Sequence, residues 1–139
     1  DIVVYRGSVP QEDIPAAISR CSVGLIPNNR GPFTEINLPT RIFEYLSMQR
    51  PVIAPRTRGI LDYFQENEMF YFEPGDPESL CRALLSVYED PEAARANMER
   101  GRAVYLQHTW QGEREKLVEL VQQVARPGRP FKAGDQESN

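Results

Sequence analysis

The sequence predicts an α/β domain built on a parallel sheet flanked by helices. Two observations lead there. Short, almost wholly apolar runs at 2–6, 23–26, 51–54 and 69–72 have the length and continuity of strands covered on both faces. Between them lie segments with apolar residues at helical spacing, and strands alternating with helices are the pattern of parallel βαβ units in a Rossmann-like arrangement.

The chain opens on Ile2-Val3-Val4-Tyr5, a strand-like run with no lead-in, and Gly7-Ser8-Val9-Pro10 then turns the backbone. A helix is expected over Gln11–Cys21, with Ile14, Ala17, Ile18 and Cys21 on one face. After the strand Val23–Ile26, residues 27–36 carry Asn28-Asn29, Gly31 and Pro32 and are expected to be loop. The next helix, about Pro39–Met48, has Pro39 as a candidate first residue, where a missing N–H is no loss. Strand Pro51–Ala54 follows, then a short helix carrying Ile60, Leu61 and Phe64, then strand Met69–Phe72. Asp76-Pro77-Glu78 is an N-cap, a first helical residue and a first-turn acid, and Asp90-Pro91-Glu92 repeats the device. The first of these helices should put Leu80, Leu84, Val87 and Tyr88 in the core, and the second should run to about Tyr105. Leu117, Leu120, Val121 and Val124 mark a last amphipathic helix. The lobe is expected over 1–125, with 126–139, rich in Pro, Gly and charge, as a disordered tail.

Composition narrows the function. At 139 residues the chain is one core's worth of protein. A net charge of −4 argues against nucleic acid as the main partner, because phosphate backbones are held by clustered cations. Only Arg50, Arg56 and Arg58 cluster. Cys21 and Cys81 lie in apolar helical surroundings, are expected to be buried free thiols, and suit a reducing cytoplasm. No apolar run approaches the roughly 20 residues of a spanning helix, so membrane contact is not indicated. The lone His108 has no second ligand for a zinc site and no metal constellation is expected; it reads as structural or exposed. Trp110 is a candidate core anchor for the last helix.

Around Asn37-Leu38-Pro39-Thr40-Arg41-Ile42-Phe43-Glu44 the residues suggest a binding site of mixed chemistry. Free N–H groups at Leu38, Thr40 and Arg41, at the positive end of a helix, attract an anion such as phosphate. Glu44, one turn in, is a two-oxygen acceptor suited to sugar hydroxyls. A nucleotide diphosphate sugar carries both features. A solvated surface Glu on an ordinary Pro-started helix is the other reading of the same residues.

The run Leu38-Pro39-Thr40-Arg41-Ile42-Phe43-Glu44-Tyr45-Leu46, followed by Pro51-Val52-Ile53-Ala54, resembles the donor-site segment of retaining glycosyltransferases of the GT-B fold. This large group includes many enzymes of bacterial polysaccharide biosynthesis. The resemblance spans about Val3–Leu120 and implies the C-terminal, donor-binding lobe of such an enzyme. It implies that Glu44 binds the donor ribose, and that Asn37, Leu38, Pro39, Thr40 and Arg41 form the diphosphate end. It also implies that the turn bearing Gly7 and Val9 lies against the base, that Pro27 borders the sugar, and that the donor is UDP- or GDP-linked. Asn28, Asn29 and Asn37 would then meet sugar hydroxyls, though asparagine is also a default loop residue. No cofactor or metal is implied. Trp110 would pack across a two-domain cleft. Gly59-Ile60-Leu61-Asp62 resembles a turn facing that cleft.

There are departures. Ile36 stands where the family has a first Glu, and Glu35 sits one place early, either reaching the site through a shifted loop or taking no part. Gln49-Arg50-Pro51 replaces the family's Gly-x-Pro. The abrupt start predicts that more sequence, including an N-terminal acceptor domain and two basic residues of the family, precedes Asp1. A cytoplasmic enzyme, attached to the inner membrane at most through that domain, is the expectation. The alternative is a non-catalytic flavodoxin-like domain or a degenerate nucleotide-binding lobe.

Overall fold

The computed structural model describes residues 3–5 and 7–125. The predicted tail, 126–139, lies outside the described residues. The chain divides into two compact units, with the division between Gln107 and His108.

The first unit is α/β. It begins with a 3-10 turn, Gln11–Asp13, and continues through α1 (Ile14–Ser19), β1 (Gly24–Leu25), α2 (Pro32–Ile36), α3 (Arg41–Ser47), β2 (Val52–Pro55), α4 (Arg58–Leu61), β3 (Phe70–Phe72), α5 (Pro77–Glu89) and α6 (Pro91–Gln107). The three strands form a parallel sheet in the order β1-β2-β3, with Gly24 opposite Val52 and Ala54 opposite Tyr71. β2 is the buried centre strand, and side-chain alternation sends its residues into two layers. Val52 and Ala54 join Ile42 and Leu46 of α3, Ile60 of α4, Phe64, Met69 and Met98 of α6. Ile53 faces the other way, onto Phe72 and Ala83 of α5. Both faces of β2 are thus covered, which is why it reads as a continuous apolar run.

Local signals explain most boundaries. The Asp76 carboxylate accepts from the Glu78 and Ser79 N–H groups at 2.9 and 3.0 Å, and Pro77 opens α5. Asp90 accepts from Ala93 N–H at 2.8 Å and opens α6. Gln49 has φ 55°, and Arg50 N–H reaches back to Tyr45 C=O at 2.9 Å, the left-handed closure that ends a helix and normally carries glycine.

Several expectations are corrected. Residues 3–5 form no strand, and Val3, Val4 and Tyr5 are exposed; β1 is only two residues long and offers little ladder for a further neighbour. The expected helix from Gln11 to Cys21 is shorter, because Pro15 fits only the first turn of an α-helix and α1 therefore begins at Ile14. Residues 27–36 are not all loop: Pro32 opens the one-turn α2. Pro39 is not the first residue of α3, which begins at Arg41; Thr40 is already helical at φ −58°, ψ −24°, and Pro39 C=O accepts from Ile42 N–H at 3.0 Å. Leu84 and Tyr88 are exposed rather than in the core, because the inner face of α5 is carried by Leu80, Ala83 and Val87. Cys21 and Cys81 are free but exposed, Cys21 following the end of α1 and Cys81 lining an open groove beside α5.

The second unit contains α7 (Trp110–Val124), whose N-cap Thr109 accepts from Gly112 N–H at 3.4 Å. Its apolar residues Leu117, Leu120, Val121 and Val124 are all exposed, and Trp110 is 75% exposed, so it is no core anchor. His108 is half-buried and meets the Glu113 carboxylate at 3.3 Å. No helix among the described residues is long and apolar enough to cross a membrane.

Candidate functional site

A groove of about 500 Å³ runs between α1 and α3. Its rim is the turn Gly7-Ser8-Val9, where Gly7 takes φ +78°, a left-handed conformation that other side chains resist. Ile14, Ala17, Ile18 and Cys21 make the α1 wall. Arg41, Glu44 and Tyr45 make the α3 wall. Residues three and four apart share one helix face, so Arg41 necessarily brings Glu44 and Tyr45 with it. The opposite face of α3 buries Ile42 and Leu46 completely, which fixes the direction of the other three.

The groove unites Gly7, Val9, Arg41 and Glu44, which are far apart in sequence. The Arg41 guanidinium and the Glu44 carboxylate take no ion-pair or hydrogen-bond partner among the described residues, so both heads are available to a ligand. Asn37, Leu38, Pro39 and Thr40 do not line it. They form the approach to α3, where the Thr40 and Arg41 N–H groups donate to no other backbone group among the described residues. Leu38 packs its side chain on the core beneath α3.

Glu35 has a different job. Its carboxylate receives Arg30 at 3.0 Å and the Arg58 N–H at 3.3 Å, tying the loop after β1 to the start of α4. It does not line the groove, and Ile36 beside it is exposed. The expected cluster of Arg50, Arg56 and Arg58 is not a common cation site. Arg50 donates to Ser19 C=O at 2.6 Å. Arg56 pairs with Glu66 and with Glu73 (2.9 Å) and lies 5.3 Å from the Tyr71 ring centre.

Asn28 and Asn29 border a separate small depression at the strand ends, with Pro27, Gly75 and Asp76. A larger groove of about 720 Å³ lies beside α5 and α6, but its walls are mainly apolar, with Leu84, Leu85, Tyr88 and Met98 among them. It offers little to a phosphorylated ligand. No group of His, Cys, Asp and Glu among the described residues is placed to hold a metal ion.

Two residues of the site escape a reading of the motif alone. Tyr45 lies against Gly24 of β1 so closely that a Cβ there would fall 2.2 Å from the ring. Gly59 lets α4 meet the carbonyls of Ile36 and Asn37, where a Cβ would fall 2.5 and 2.8 Å away, and so sets where the approach to α3 begins. The position of Tyr45, four after Arg41, was the available signal for the first; the second stands in the Gly59-Ile60-Leu61-Asp62 turn, but its contact with Ile36 and Asn37 is set by packing between segments distant in sequence.

Comparison with solved structures finds the same fold in larger proteins. Sucrose-phosphate synthase from Thermosynechococcus elongatus is similar at 22% identity and TM-score 0.74, over 87% of this chain and 30% of that one. A glycosyltransferase from Rickettsia africae is similar at 16% identity and TM-score 0.69, over 86% and 31%. Anabaena HepE, solved in complex with UDP, is similar at 17% identity and TM-score 0.62, over 81% and 30%. The chain therefore spans about 30% of the length of the first of these, and at such identities the likeness establishes the fold alone. Comparison with curated proteins returns no match. A family model described as "Glycosyl transferase-like" matches residues 2–119, and with most of the sequence covered the chain belongs to that glycosyl transferase-like family.

Proposed function

We propose that this chain is the donor-binding lobe of a glycosyltransferase that takes a sugar from a UDP- or GDP-linked donor. The observation that carries the reading is the groove that joins Gly7 and Val9 to Arg41 and Glu44. A cation and a carboxylate, both without an ion-pair or hydrogen-bond partner among the described residues, stand three residues apart on one helix face. Arg41, with the N–H groups of Thr40 and Arg41 beside it, suits a diphosphate. Glu44 accepts from the vicinal hydroxyls of ribose. The turn at Gly7–Val9 presents backbone to the base, and Asn37, Leu38 and Pro39 shape the approach to the phosphates.

In the parent enzyme the bond from the anomeric carbon to the diphosphate oxygen breaks and a bond to an acceptor oxygen forms, with configuration retained. The nucleoside diphosphate departs with the bonding pair and takes up the proton that the acceptor hydroxyl loses. Arg41 and the helix start offset the charge that develops on the leaving diphosphate, without a metal ion. A separate N-terminal domain supplies the acceptor side, in the cytoplasm. The UDP held by HepE in its structure favours uracil as the base.

The test is calorimetric titration of UDP and GDP into this chain and its Glu44→Ala form. Each charge-assisted hydrogen bond to ribose contributes roughly 1.5–3 kcal/mol, so binding should weaken by more than about tenfold. No binding of either nucleotide, or binding indifferent to Glu44, would overturn the reading in favour of a degenerate lobe.

A further inference from the structure

Tyr45 has a polar head that no group among the described residues receives. Its ring rests on Gly24 at the sheet, and its hydroxyl takes no hydrogen-bond partner among the described residues. That hydroxyl is not among the buried polar atoms left without a partner, and Tyr45 is one of the residues lining the groove shared with Arg41 and Glu44. A tyrosine used only for packing could as well be phenylalanine, and a half-buried phenol ordinarily finds a partner.

The groove has two chemical parts. Arg41 and Glu44 are exposed, charged and at its outer side. Ile14, Ala17 and Ile18 give it an apolar wall, and Tyr45 is half-buried against the sheet. Of the parts of a nucleoside diphosphate, the base alone is flat and weakly polar enough to favour the apolar part. Its edge carries ring carbonyls and nitrogens that need hydrogen bonds once water is displaced.

We propose that Tyr45 is a base-contacting residue, its ring forming part of the seat of the nucleobase and its hydroxyl donating a hydrogen bond to an acceptor on the base edge. This rests on the donor-site reading above. Burial raises the Tyr45 pKa above the ordinary 10.0, against the opposing influence of Arg41, so the phenol is protonated and able to donate at neutral pH.

The test titrates UDP and GDP into the wild-type chain, Tyr45→Phe and Glu44→Gln, and records intermolecular NOEs from the base protons of whichever nucleotide binds. Tyr45→Phe keeps the ring on Gly24 and removes no hydrogen bond internal to the described residues, so its thermal midpoint should match wild type. Its affinity should fall by about two- to tenfold, the effect of one neutral hydrogen bond, and NOEs should connect the Tyr45 ring to the base. Unchanged affinity in Tyr45→Phe, or NOEs from Tyr45 to ribose alone or to no ligand proton, would overturn the inference. If Glu44→Gln still weakens binding, the donor-site reading survives that loss. If neither nucleotide binds the wild-type chain, both fall together.

Discussion

The ring of Tyr45 occupies the space that a side chain on Gly24 would need: a Cβ there would stand 2.2 Å from the ring's Cδ2 and 2.3 Å from its Cγ. These atoms are at the base of the ring, so a small rotation of the tyrosine does not relieve the clash. The whole side chain, or α3 with it, must move.

Gly24→Ala should therefore lower stability by about 1–3 kcal/mol, the range for forcing extra volume into a packed site. It should also disturb the groove, because Tyr45 shares a helix face with Arg41 and Glu44. Urea denaturation reads the first effect, and chemical-shift changes at residues 41–45 read the second. Wild-type stability with no shift changes would mean that Tyr45 is not held by the sheet.

Much of this was legible in the sequence, and the exceptions have causes. β2 and the caps at Asp76 and Asp90 are written in local chemistry: an uninterrupted apolar run, and an acid followed by proline. The grouping of Arg41 with Glu44 followed from helical spacing. What failed was set by partners distant in sequence. Val3 and Val4 look like strand residues, yet a strand exists only where a ladder receives it. Leu84 and Tyr88 lie at helical spacing, but which arc of α5 is buried depends on the sheet it meets. Glu35 could not be assigned because its partners, Arg30 and the Arg58 N–H, become neighbours only when α2 and α4 pack together. Gly59 is informative for the same reason.

That packing gives a second prediction. A Cβ on Gly59 would meet the Ile36 carbonyl at 2.5 Å, and a backbone atom cannot rotate away as a side chain can. Gly59→Ala should cost about 1–3 kcal/mol, despite the gain in helix propensity of up to about 1 kcal/mol. Because Ile36 and Asn37 lead directly into α3, nucleotide affinity should fall in the same variant. Loss of stability with affinity intact would separate the α2–α4 contact from the groove.

Gln49 predicts a gain instead. It holds φ 55° at the end of α3, where a Cβ is crowded and glycine is not. Gln49→Gly should stabilise the fold by about 0.5–1 kcal/mol, provided relief of strain exceeds the added freedom of the unfolded chain. Chemical denaturation with an unchanged m-value would show it. A destabilised variant would mean that the glutamine side chain makes up the difference through packing.

Alkaline pH probes the other end of the sheet. The Tyr71 hydroxyl donates to Phe64 C=O at 2.8 Å. Burial, and then the charges of Glu66 and Glu68, raise its pKa well above 10, with Arg56 opposing. The native state therefore resists losing this proton while the unfolded chain gives it up near pH 10. The resulting stability is present in full below pH 10 and is lost as pH rises toward the raised native value. Wild type should weaken steadily above about pH 10. Tyr71→Phe should be less stable at pH 7 by about 1 kcal/mol, since the Phe64 carbonyl loses its donor, and its stability should fall less steeply with rising pH. Denaturation midpoints at pH 7, 10 and 11 decide it: parallel declines in the two proteins would place the alkaline sensitivity in some group other than Tyr71.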